Sequence, residues 1–120
     1  MVVLAALASA PRLRPRGQTT PSAAKSDTAP NSDVANGKKL FVNYGCYECH
    51  GRAAQGGVGP RLGPNPLPYA AFSAYVRHPS GTMPPYTAKV ATDQDLADIH
   101  AYLASLPASP KAKDVPLLNK

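Results

Sequence analysis

Cys46-Tyr47-Glu48-Cys49-His50, bracketed by Gly45 and Gly51, is the stretch whose reading decides this chain. On a helical turn, residues three and four apart share a face. Cys46, Cys49 and His50 therefore project the same way. C-x-x-C-H is the spacing of c-type haem attachment. Two thiols can add to the two vinyl groups of the porphyrin, and the imidazole then lies beneath the ring, where it binds iron. Glycines on either side let the backbone approach the macrocycle closely. Three other uses of the motif fit less well. A structural zinc site needs four well-spread ligands, and no second C-x-x-C is present. A thioredoxin-like redox site wants a neighbouring β-α-β pattern, which is absent. A plain disulfide would leave His50 without a role.

An iron held by His50 needs a sixth ligand or an open position. Apart from Met1, the chain has one methionine, Met83, in Gly81-Thr82-Met83-Pro84-Pro85-Tyr86. Prolines fix the backbone on one side, so a thioether can be held in one place. Met83 is the candidate, with gap-filling in the core as the bland alternative. His78, just before Pro79, and His100, between Leu96 and Leu103, are rivals. The first suits a helix end and the second a partly buried structural position.

Outward from the motif, the pattern predicts an all-α chain of three main helices joined by long loops. The first begins near Asp33, a plausible cap, and carries Leu40, Phe41, Tyr44 and Tyr47 on one stripe, running into the cysteine motif. Gly37 lies one turn before Phe41. A glycine there costs the helix about 1 kcal/mol against alanine, a cost consistent with another helix crossing closely. The second helix spans Pro68 to Arg77, with Phe72, Tyr75 and Val76 as its face. The third is capped by Thr92 with Asp95 three residues on, repeats Leu96, Ile99, Leu103 and Leu106, and stops at Pro107. Stretches 51–67 and 78–92 are rich in glycine and proline. Structureless loops that long are unusual inside a compact domain and make sense wrapped around a bound object.

Composition agrees. The chain has 120 residues, fourteen prolines, two phenylalanines and no tryptophan. So short a chain with so few large apolar side chains builds a marginal core, and something other than side chains is expected to fill the centre. The net charge of +6 is shared evenly among residues 1–35, 36–107 and 108–120. A nucleic-acid binder concentrates its basic residues, so that function is not expected, and neither is an integral membrane segment. Residues 1–10 read as the remnant of an export signal, with small residues at Ala8 and Ala10. No basic residue precedes the apolar run, and the arginine-bearing stretch up to Ser26 also has the character of an organelle transit sequence. Residues 11–31 read as a disordered Pro/Ser/Thr/Ala-rich linker, 32–107 as the folded domain and 108–120 as a flexible basic tail.

With Gly37 and Phe41, Cys46-x-x-Cys49-His50, Gly59-Pro60-Arg61-Leu62, Met83-Pro84-Pro85 and the helix Asp95–Leu103 in view, the chain resembles the class I c-type cytochromes, small single-haem electron carriers. The resemblance covers residues 33–107. It implies a cytochrome c fold around one covalent haem c, with the first and last helices crossing near Gly37, Phe41 and Tyr102. It implies that the Pro60 carbonyl accepts a hydrogen bond from the His50 ring and that Leu62 packs on the haem. The sequence around Met83 is also similar to that of small cytochrome subunits accompanying bacterial dehydrogenases. The lysine ring found around the haem edge of mitochondrial-type relatives is not evident.

The expected function is one-electron transfer with His50 and Met83 as iron ligands. Donors and acceptors would be redox proteins, a dehydrogenase on one side and a terminal oxidase or another cytochrome on the other. Haem attachment outside the bacterial cytoplasm in this family points to a periplasmic or otherwise exported protein. Arg61 and Arg77 are candidates to pair with the haem propionates, and Arg52 and Lys89 to meet a partner. The alternative is a haem-based sensor or small peroxidase with an open sixth position, which would draw on His78 or His100 for proton transfer.

Overall fold

The computed structural model describes residues 31–118. The export remnant and all but the last residue of the linker lie outside them. Four helices follow one another: α1 (Val34–Asn43), α2 (Cys46–His50), α3 (Tyr69–Arg77) and α4 (Asp93–Ser105). No strand occurs among the described residues, as the all-α expectation requires.

α1 starts where Asp33 stops being helical. Its carboxylate accepts hydrogen bonds from the amides of Ala35 and Asn36 at 2.8 and 3.1 Å, which satisfies donors that a helix start leaves without partners. The cysteine motif does not finish this helix, contrary to the sequence reading. Tyr44 closes α1, and Gly45 adopts φ 74°, in the left-handed region. A residue with a side chain pays for that conformation, so the glycine sets the break. The motif consequently occupies its own five-residue helix, α2.

α3 matches expectation except on one point. Phe72 and Val76 are buried, but Tyr75 is 42% exposed, and its hydroxyl meets Ser80 instead of the core. α4 carries both halves of a capping box: Thr92 Oγ1 accepts from the Asp95 amide at 3.1 Å, and Asp95 Oδ2 accepts from the Thr92 amide at 2.8 Å. Residues 108–118, read as a tail, form two single 3₁₀ turns, Ala112–Asp114 and Pro116–Leu118.

α1 and α4 cross at Gly37. A Cβ at that position would run into the carbonyl of Asp98. Only hydrogen in place of a side chain lets the two backbones meet. The Phe41 and Tyr102 rings pack with centroids 5.6 Å apart, tilted by 56°. Phe41, Leu96 and Leu103 are fully buried, and side chains of this size contribute roughly 1.5–3 kcal/mol each.

The crossing is also bolted by charge. Asp98 is 4% exposed. Its carboxylate accepts from the Asp33 amide, Asn36 Nδ2 and Gln94 Nε2, each at 2.8 Å. Burial opposes ionisation of this group, but the hydrogen bonds from Asn36, Asp33 and Gln94 outweigh it and hold the carboxyl below its ordinary pKa.

Two outcomes are expected. Gly37→Ala should destabilise the haem-loaded protein by about 1–3 kcal/mol, the usual cost of overpacking, read from denaturant unfolding. Because the Asp98 pKa is lower folded than unfolded, its contribution is present above the ordinary carboxylate value and is lost as pH falls through the folded one. Asp98→Asn should therefore cost about 1–3 kcal/mol at neutral pH and flatten the acid limb of the stability curve. An acid limb identical to that of the parent would show that Asp98 does not cause it.

Candidate haem site

The loop after α2 folds back beneath it. The Gly56 amide donates to His50 O at 2.8 Å and the Gly59 amide to Cys49 O at 2.9 Å. These carbonyls end a short helix and would otherwise lack partners. Ala54, fully buried, sits at φ 51°, and its carbonyl accepts from the Leu62 amide at 3.0 Å. That bend carries Leu62 inward, where it packs against the core.

His50 is 8% exposed. Its Nδ1 lies 2.7 Å from Pro60 O. A carbonyl can only accept, so Nδ1 carries a proton, and in the neutral ring the lone pair then lies on Nε2. No hydrogen bond to Nε2 occurs among the described residues. Gly59 lies against the ring: a Cβ there would come within 2.7 Å of Cε1 and 2.8 Å of Nδ1. Carbonyl and glycine together hold the imidazole in one orientation.

Both cysteines are free thiols, Cys46 half-buried and Cys49 exposed. Burial pushes the Cys46 thiol up to about 11, so it rests protonated. Among the described residues no three His, Cys, Asp or Glu side chains gather as a metal site. A tetrahedral zinc site would need four such ligands.

Met83 is half-buried and packs against the core cluster. The loop that bears it is pinned at Tyr86. The Tyr86 amide donates to Val76 O at 3.1 Å, and its hydroxyl donates to Tyr44 O at 2.6 Å. Burial, reinforced by the nearby Cys46, Cys49 and Glu48, raises the pKa of the Tyr86 phenol. The Met83 loop therefore descends beside the cysteine motif.

The rival ligands are otherwise engaged or far out. His78 is exposed at the C-cap of α3. His100 Nε2 lies 2.8 Å from Leu67 O, and its ring packs on Tyr69 and Phe72 with centroids 5.6 and 5.3 Å away. The Arg77 guanidinium donates to Tyr86 O, Ala91 O and Asp93 Oδ1. Arg61 is exposed and bonds Ser109. Arg52 lies 4.9 Å from the centre of the Tyr47 ring, and Lys89 is exposed.

An imidazole nitrogen, a thioether and two thiols on a turn form a donor set that matches a covalently held haem iron. The residues that would hold it are Cys46, Cys49, His50 and Met83, with Pro60 and Leu62 behind them.

An all-helical domain with a C-x-x-C-H turn, a carbonyl-locked histidine and a proline-flanked methionine loop defines a small c-type cytochrome. Residues 32–103 match the family described as cytochrome c oxidase, cbb3-type, subunit III, and the chain belongs to that family. It is 36% identical over 78 residues to the cytochrome c subunit of 4-cresol dehydrogenase [hydroxylating] from Pseudomonas putida, covering 65% of this chain and 66% of that one. It is 30% identical over 125 aligned positions to the cbb3-type cytochrome c oxidase subunit CcoP of Rubrivivax gelatinosus, covering 93% of this chain and 41% of the relative. The chain thus spans under two thirds of the length of either relative. No solved structure matches. Membership implies haem c and electron transfer, and the relatives are named as cytochrome subunits rather than catalytic ones.

Gly59→Ala should push the His50 ring out of line and lower the yield of haem-loaded polypeptide severalfold, read as haem absorbance per mole of chain. An unchanged yield and spectrum would show that the contact does not constrain the imidazole.

Proposed function

We propose that the chain carries single electrons on one covalently attached haem c, linked through Cys46 and Cys49, with His50 and Met83 as its iron ligands. The 2.7 Å hydrogen bond between His50 Nδ1 and Pro60 O carries this reading. It fixes the tautomer of the neutral ring and keeps the ring from swinging. The bound haem supplies an iron that alternates between ferric and ferrous states. The chain's own part is to keep the ligand atoms in place in both. His50 is gripped by Pro60 O and Gly59, and Met83 sits between Gly81 and the Pro84–Pro85 pair. Leu62 and the apolar core keep water away, and a thioether ligand in a dry pocket raises the potential.

A sensor or peroxidase would need an open iron position and an acid–base group beside it. His78 is exposed at a helix end and His100 is bonded to Leu67 O, which supports the carrier over the enzyme. Relatives named as subunits of a dehydrogenase and of an oxidase support a dehydrogenase as donor and a terminal oxidase or another cytochrome as acceptor. No helix among the described residues is long and apolar enough to cross a membrane. The apolar run at residues 1–10 and the chemistry of covalent attachment support an exported, periplasmic location.

The oxidised protein should show the near-infrared methionine-to-iron charge-transfer band. Met83→Ala should abolish it and lower the potential, while the haem stays with the polypeptide through denaturation in both. A high-spin, five-coordinate parent spectrum would sink the carrier reading.

A further inference from the structure

The hydrogen bonds made by Arg77 reach two segments, the loop that bears Met83 and the start of α4. Its Nη1 donates to Tyr86 O at 2.8 Å and to Ala91 O at 2.6 Å, and its Nη2 donates to Asp93 Oδ1 at 2.6 Å. The side chain is 15% exposed, although Asp93 is largely in solvent. Tyr86 and Ala91 both lie in the loop that bears Met83, and Asp93 begins α4. Charge-assisted bonds from a buried guanidinium are among the stronger polar links in a protein, and the planar fork can reach several carbonyls at once.

These bonds close a ring. Tyr86, held by Arg77 through its carbonyl, donates its hydroxyl to Tyr44 O at 2.6 Å. The Tyr44 hydroxyl in turn donates to Asp95 Oδ2 at 2.9 Å. Asp95 belongs to the capping box of α4, two residues from the Asp93 that Arg77 grips. The end of α3, the return limb of the Met83 loop, the end of α1 and the start of α4 are therefore tied in one circuit. On the outward limb, Ser80 meets the Tyr75 hydroxyl in an exposed contact. Arg77 is the member that touches the loop twice.

We propose that Arg77 is a positioning residue for Met83: it clamps the return limb of the loop to α4, so that the thioether is presented to the iron rather than released to solvent. The inference rests on Met83 being the sixth ligand, as proposed above. A ligand whose loop opens more often is displaced more readily by a competitor. The competitor's apparent dissociation constant is its intrinsic value divided by the open fraction.

The test is titration of the oxidised, haem-loaded full chain with imidazole, following loss of the near-infrared band. Arg77→Gln, which keeps one amide donor and no charge, should bind imidazole at least tenfold more tightly than the parent. Arg77→Lys should fall between them, because an ammonium cannot fork to all three acceptors. Tyr86→Phe removes a single hydroxyl from the same circuit and should move in the same direction, so the question stays answerable if Arg77→Gln loads poorly. Asp98→Asn weakens the fold away from the loop and should lower the unfolding midpoint without changing the imidazole affinity. Amide exchange at Tyr86 and Ala91 should quicken in Arg77→Gln while the α1 amides keep the parent's rate. Parental imidazole affinity in Arg77→Gln and Tyr86→Phe, with the band present, would overturn the role of Arg77 alone. Absence of the band from the parent would overturn the assignment of Met83, and this inference with it.

Discussion

The contact between Gly37 and the Asp98 carbonyl governs how close the first and last helices can lie. Everything else in the domain is arranged around that closeness. A Cβ would force the backbones apart, and the Asp98 carboxylate could then no longer reach the Asp33 amide and Asn36. The capping residue of one helix is thus bonded to a buried acid of the other, across 65 residues of sequence. Phe41 and Tyr102 meet only because the helices do. This pairing supplies a rigid frame, and the haem-binding segments hang from it as loops.

Each loop returns to the frame by polar contacts from the backbone. The segment after α2 is stitched to the carbonyls of Cys49 and His50 and turns at Ala54 to bring Leu62 inward. The segment bearing Met83 is tied at Tyr86 and Ala91. Loops of this length cost conformational entropy, and here that cost is offset by backbone bonds, by a few side-chain bonds and by the apolar contacts of Ala54, Leu62, Met83 and Ala91 with the core.

Much of this was legible in the sequence, for physical reasons. Cys46-x-x-Cys49-His50 has a single economical use. Asp33 and Thr92 precede apolar stripes in the way that caps do, and Gly37 on such a stripe asks for a close neighbour. The hydrogen bond from His50 to Pro60 followed from the family resemblance rather than from spacing. Other features could not be read. A glycine at position 45 looks the same whether it bends a helix or lets a ligand approach, and its dihedral angles decide. Tyr75 has helical spacing with Phe72 and Val76, but lies at the edge of the stripe, where a hydroxyl can find solvent and Ser80. Asp98 reads as a polar interruption in an apolar helix until its three donors, one of them 65 residues away, are seen. The internal partners of Arg77 were not legible because two of its three acceptors are backbone carbonyls, which no residue type announces. The buried, positive-φ Ala54 carries no sequence signal at all.

The distance in sequence between the two framing helices has a further consequence during synthesis. While α4 remains inside the ribosome, α1 has no surface to lean on and the acid that joins it to Asp33 does not yet exist outside. Loop closure over that span is costly, and the intervening chain offers few local contacts to offset it. The domain therefore stays open until its last helix emerges. That delay leaves Cys46 and Cys49 uncovered by the fold for as long as the chain is incomplete.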